Sequence, residues 1–175
     1  EGTIATAGRE AVVAEAHAQI DYVTAHAWPL NWGWVNGKDL PGTWLTGKAM
    51  VVEYLKTHER IARALNKPLI LEEFGFPRDG EQYDPSVDTS FRQRYYALIY
   101  EAVESSVSEG GPICGSNFWA WNGEARAQHP DHRFLDGDRA YMGDPPHEPQ
   151  GWYGNFDSDR AMLELIRAHA ESLRK

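Results

Sequence analysis

Cysteine is nearly absent. Cys114 stands alone among 175 residues, which excludes an internal disulfide and leaves the redox compartment open. Positive charge is also scarce: 17 basic residues face 26 acidic ones, for a formal net charge of −9. No nucleic-acid partner is expected, because phosphate binding needs a basic face. No apolar run approaches the roughly 18 residues of a membrane span, so no membrane partner is expected either. The chain starts Glu-Gly-Thr, with no basic and then apolar leader, and the missing Met points to processing or truncation. What the sequence does have is tryptophan. There are seven, four of them between Trp28 and Trp44, in a chain of the length of one ordinary domain.

Helix and strand signals alternate. Helical spacing runs over 9–18, and a β-branched apolar stretch over 20–25 reads as a strand. A loop rich in Trp, Gly, Pro and Asn spans 28–46. Residues 48–66 carry an apolar helical stripe that includes Val51, Leu55 and Leu65, with Asn66 as the stop and Pro68 beyond it. Residues 68–74 form a second strand, 89–109 a long helix and 113–119 a third strand. A polar loop covers 122–157, and a last helix runs over 158–173 with Ser158 as its N-cap. Strands separated by long helices imply parallel pairing, and their apolar interiors suit a sheet buried on both faces. The strand ends at His26, Glu73 and Trp119 are 47 and 46 residues apart. Units that long imply enlarged loops on one rim. Three strands do not close a barrel, and Glu1-Gly2 leads into a helix with no strand before it. The expectation is a piece of a larger parallel α/β structure.

In such an architecture the strand C-termini share one rim, which brings His26, Glu73 and Trp119 together. A carboxylate, an imidazole and an indole suit a carbohydrate. Aromatic rings offer flat apolar faces to sugars, and a carboxylate can attack or stabilise an anomeric carbon. Strand alternation sends Glu72 and Glu73 to opposite faces, so one must be chosen. Glu73 is the choice, on the face of Leu69 and Leu71 and next to Phe74-Gly75, where the chain leaves the strand. Solvated glutamates at a strand end and a satisfied core histidine are the plainer alternatives. Trp28, Trp32, Trp34 and Trp44 either bind a ligand or hold their own loop together. His129, Asp131, His132, Asp136 and Asp138 match neither zinc nor calcium spacing and read as a polar loop, so no metal is expected.

Four motifs together resemble the β-mannanases of glycoside hydrolase family 5. They are Asp-Tyr-Val-Thr-Ala-His-Ala-Trp-Pro at 21–29 with Asn-Trp-Gly-Trp at 31–34, Lys-Pro-Leu-Ile-Leu-Glu-Glu-Phe-Gly at 67–75, Gly-Ser-Asn-Phe-Trp-Ala-Trp at 115–121, and Gly-Asp-Pro-Pro-His-Glu-Pro-Gln-Gly-Trp at 143–152. The last resembles bacterial members. The resemblance implies a (β/α)8 TIM barrel that hydrolyses β-1,4-mannosidic bonds with retention, needs no cofactor, and is secreted or periplasmic. It places the seventh-strand nucleophile on Glu73, the sixth-strand histidine on His26 and the eighth-strand tryptophan on Trp119. It puts Trp28, where some members have tyrosine, and Trp32 in the cleft, and Glu1, at the end of the fifth strand, near substrate. The expected fold is therefore α/β, the C-terminal part of a barrel over 1–175 with strands one to five absent. The family's acid/base glutamate follows an asparagine on strand four, and this chain has no such segment.

The expected partners are a β-mannan oligosaccharide or polysaccharide and the missing N-terminal half of the barrel. Two alternatives remain: a non-catalytic carbohydrate-binding module using the tryptophans, and an engineered or proteolytic half barrel that acts only when paired.

Overall fold

The computed structural model describes residues 17–138 and 143–174, so Glu1, Gly2 and most of the helix expected over 9–18 lie outside the described residues. Three parallel strands form the main sheet in the order β1 (Val23–Ala27), β2 (Leu69–Phe74), β3 (Ile113–Phe118). Helix α1 (Leu40–Leu65) connects the first two strands and α2 (Ser90–Ser108) the second pair, while α3 (Arg160–Ser172) closes the chain. This is the parallel alternation the sequence led us to expect.

One face of the sheet is core. Val23, Ala25, Ala27, Leu69, Leu71, Phe74 and Ile113 are buried in one cluster with Val51 and Leu55 of α1, Tyr95, Ile99 and Val103 of α2, and Met162 of α3. The opposite face carries Thr24, Glu72, Cys114 and Asn117, all exposed; among the described residues nothing covers it.

Helix α1 begins eight residues before its expected start. Asp39 caps it, its Oδ1 accepting from Gly42 N at 3.1 Å, and Pro41 occupies the first turn, where a missing N–H costs nothing. Pro41-Gly42-Thr43 read as loop in the sequence, but burial of Leu40 and the packing of Trp44 on Phe76 and Phe91 override those weak propensities. At the far end Asn66 takes the left-handed conformation, φ 52°, and stops the helix. Helix α3 starts at Arg160 rather than just after Ser158. The preceding Asp159 turns its carboxylate backwards, accepting from Phe156 N at 2.8 Å and from Arg78 Nη2 at 2.6 Å. Finally, the span expected to be wholly loop holds a small second sheet, β4 (Trp121–Gly123) paired with β5 (Asn155–Phe156). Strands of three and two residues are too short to leave a pattern in a sequence.

Candidate active site

The C-terminal ends of β1, β2 and β3 share one rim. His26 pairs in register with Glu73, and Phe74 with Phe118, immediately before Trp119. The His26 Nδ1 atom lies 3.2 Å from Glu73 Oε2. Tyr54 of α1 donates its hydroxyl to the His26 carbonyl at 2.6 Å, and Tyr95 of α2 does the same to Ala27 at 2.8 Å. Burial pushes the Tyr54 phenol up to about 12, which keeps it a donor. Two helices thus hold the end of β1 in place from the core side.

The β1–β2 register jumps from Ala25 opposite Leu71 to His26 opposite Glu73. This bulge at Glu72 corrects the expected alternation. Leu69 and Leu71 are fully buried against the helices, whereas Glu73 is about one-third exposed on the other side. Glu73 therefore does not share their face, and Phe74 returns to it. The extra residue re-aims the strand end, a recurrent use of bulges beside active sites. Glu72 is brought to the same histidine, its Oε2 lying 3.9 Å from His26 Nε2. Both neighbouring glutamates reach one imidazole, an arrangement that strict alternation excludes.

A cavity of about 280 Å³ opens at this rim. Glu73, Trp28, Trp32 and Trp119 line it together with Asn31, Pro145, Glu148 and Tyr153. The Trp28 ring meets Trp119 edge-on at 6.4 Å and Tyr153 at 4.9 Å. Gly75 makes this possible, because a Cβ there would sit 2.6 Å from the Trp28 ring and 2.9 Å from the Trp119 carbonyl oxygen. The Trp119–Ala120 peptide is cis. Tyr153 donates its hydroxyl to Asn31 Oδ1, closing the loop after β1 onto the segment between β4 and β5. Behind Tyr153, buried Asp144 accepts from Gly151 N at 2.8 Å and Tyr153 N at 3.2 Å. Burial pushes the Asp144 carboxyl up to about 6 against the pull of those two donors.

Asn31, Pro145, Glu148 and Tyr153 escaped the sequence reading. Asn31, in the run at 31–34, and Pro145 and Glu148, in the run at 143–152, enter that reading only through the resemblance and without a role, and Tyr153 does not enter it. Of the expected site residues, Glu73, Trp28, Trp32 and Trp119 meet at the cavity, His26 adjoins them through Glu73, and Glu1 lies outside the described residues. Among the described residues no group of three His, Cys, Asp or Glu side chains is placed to hold a metal. His129 instead pairs with Asp138 at 2.8 Å, and His132 packs on Tyr83.

The tryptophan loop divides in two. Trp28 and Trp32 face the cavity; Trp34 backs Trp32 at 4.7 Å, and Trp44 wedges against Phe76 and Phe91. Trp32→Ala should weaken oligosaccharide binding while moving the melting temperature little. Trp44→Ala should instead cost about 3 kcal/mol of stability, the usual toll of deleting a large packed aromatic. Tryptophan fluorescence titration and thermal unfolding on the two variants check the pair; the reverse order would assign Trp32 to structure.

The family model described as "GH family 5 beta-mannosidase-like" matches residues 1–175, the entire chain. Among curated proteins, a rice protein called putative mannan endo-1,4-beta-mannosidase 9 (Oryza sativa subsp. japonica) is 29% identical over 115 residues, 65% of this chain and 26% of its own length. The tomato mannan endo-1,4-beta-mannosidase 4 (Solanum lycopersicum) is 29% identical over 64% of this chain and 26% of its own. Among solved structures, the glycoside hydrolase family 5 mannosidase from Rhizomucor miehei superposes with a TM-score of 0.79 at 31% identity, over 94% of this chain and 42% of that one. A mutant of that enzyme in complex with mannosyl-fructose gives 0.82 at 34% identity, over 94% and 41%. These structural neighbours are (β/α)8 barrels, so the three parallel strands and their helices are a partial barrel. The chain spans about a quarter of the curated relatives and about two-fifths of the solved ones.

Proposed function

Because the chain belongs to the β-mannosidase-like group of glycoside hydrolase family 5, we propose that it supplies the nucleophile side of a retaining active site that cleaves β-1,4-mannosidic bonds, endo-acting on mannan. One observation carries this reading: the Glu73 carboxylate stands 3.2 Å from the His26 imidazole, on a cavity walled by Trp28, Trp32 and Trp119. A sugar-binding module needs the indoles but not the carboxylate–imidazole pair.

In the complete barrel a mannosyl ring lies against Trp119. Glu73 attacks its anomeric carbon and forms a glycosyl ester as the C1–O bond to the leaving sugar breaks. The departing oxygen takes a proton from a second carboxyl group, which then deprotonates the water that hydrolyses the ester. His26 orients Glu73. The second carboxyl group, about 5–5.5 Å from the first in a retaining pair, comes from the remaining strands of the barrel. Those strands also cover the open face of Thr24, Glu72, Cys114 and Asn117. An uncovered sheet face and free strand edges recruit other chains.

The test is complementation. The 175-residue chain alone should self-associate and release no reducing sugar from mannan. Mixing it with a polypeptide carrying the first five strands of a family barrel should restore hydrolysis. Hydrolysis by the purified monomeric chain would overturn the division of labour and point to another carboxylate here, such as Glu124, as the acid.

A further inference from the structure

We propose that Glu148 is a substrate-binding residue of this cavity, accepting hydrogen bonds from hydroxyl groups of the bound mannosyl unit and setting which sugars are retained. The inference rests on the reading of the cavity as a mannosyl site, and it adds a specificity element to that site.

Glu148 lines the cavity alongside Glu73 and the three indoles. Its side chain is only 23% exposed, and among the described residues it forms an ion pair with His147, 4.0 Å away and itself 81% exposed. A mostly covered carboxylate on a cavity walled by indoles is open to hydroxyl donors that enter the cavity. Its charge is felt inward. Burial is the main reason that the Asp144 carboxyl and the Tyr153 phenol are raised, and the Glu148 charge raises both further.

The backbone beneath Glu148 is fixed rather than free. Buried Gln150 donates its amide to the carbonyls of Asp144, Pro145 and Glu148 at 3.1–3.2 Å. Glu148 N donates to Pro145 O at 2.9 Å, and Asp144 ties the following turn through Gly151 and Tyr153. The turn that carries Glu148 onto the cavity is therefore fixed, as a recognition element requires.

The chemistry fits a pyranose. Indole faces take the apolar side of a sugar ring without reading its hydroxyls. An ionised carboxylate has two acceptor oxygens and no donor, so it takes adjacent hydroxyls as a pair. A site built to bond a hydroxyl strongly rejects the analogue that lacks it.

The experiment uses the complete barrel and mannotriose as the probe. Binding is followed by tryptophan fluorescence in a Glu73→Ala background, which needs no turnover, and KM and kcat are read with Glu73 intact. Glu148→Ala should weaken mannotriose binding on the order of 10- to 100-fold, the loss of hydrogen bonds to a charged group. KM should rise comparably, kcat should stay within about threefold, and the melting temperature should hold. Deoxy-mannosides lacking the contacted hydroxyl should bind wild type and Glu148→Ala alike. Affinity unchanged within about twofold overturns the proposal. So does a binding loss that merely follows a fall in melting temperature and is reversed in Glu148→Gln. A collapse of kcat at constant affinity, restored by azide, also overturns it and makes Glu148 an acid/base. Mannotriose binding without hydrolysis would sink the proposed reaction and leave this inference standing; no binding by wild type would sink both.

Discussion

Glu73→Ala in the complete barrel should lower mannan hydrolysis by about 10⁴-fold or more, since in the proposed reaction this residue would form the covalent intermediate and no other described carboxylate of the cavity pairs with His26. Azide should recover part of the rate. It enters the space left by the carboxylate, attacks the anomeric carbon from the same side and yields a glycosyl azide of inverted configuration. Glu73→Gln keeps the shape but not the charge and should be equally slow. The informative companion is Glu72→Ala. Glu72 also reaches His26, at 3.9 Å against 3.2 Å for Glu73, but it lines the open sheet face with Ile70 and Cys114 rather than the tryptophan cavity. Its loss should therefore cost far less. Azide rescue of Glu72→Ala, with Glu73→Ala unaffected, would exchange the two assignments. The melting temperature of Glu73→Ala should match wild type, because this carboxylate opens on the cavity, is about one-third exposed and contributes no core packing.

The three strands are legible because Leu69–Phe74 holds an apolar run closed by two glutamates, and the other two stand at nearly equal distances on either side of it, separated by long helical patterns. Parallel topology then followed from the helices between them. The bulge at Glu72 was not legible. Nothing in Leu-Ile-Leu-Glu-Glu-Phe announces an extra residue, and the slip arises from how β1 and β3 must both pair with β2. The site was half legible for a related reason. His26, Glu73 and Trp119 end strands, so topology alone gathers them. Asn31 and Tyr153 are 122 residues apart and meet only because two loops fold over the same rim. Glu148 belongs to a loop whose course is set by buried Asp144 and Gln150, polar residues that in a sequence look like any solvated pair. Arg78 and Arg92 mislead in the same way. In a chain where a quarter of the residues are charged, an arginine reads as surface, yet both are fully buried.

Removing Arg92 should have the largest effect on stability. Its guanidinium donates to the carbonyls of Phe76 at 2.6 Å, Gly154 at 2.6 Å and Trp152 at 3.0 Å. Among the described residues no carboxylate pairs with it directly, and burial lowers its pKa to about 10, so at neutral pH it stays charged at a real desolvation cost. Exchanging a buried charge for an apolar group is sometimes neutral. Here the carbonyls would be left behind, each an orphaned acceptor costing about 1–3 kcal/mol. Arg92→Met should therefore destabilise by about 3–5 kcal/mol, a large share of the 5–15 kcal/mol typical of a domain. At about 2–4 °C per kcal/mol, the melting temperature should fall by roughly 6–20 °C. Lysine should not substitute, because a single ammonium cannot reproduce the fork that meets three carbonyls. The loss should also reach the cavity. Arg92 holds Trp152 and Gly154 on either side of Tyr153, and Tyr153 holds Asn31, so mannotriose affinity measured well below the melting point should fall with stability. Thermal unfolding of Arg92→Met within about 1 kcal/mol of wild type would mean that water reaches those carbonyls. The rim would then be held by the Asp144 contacts alone.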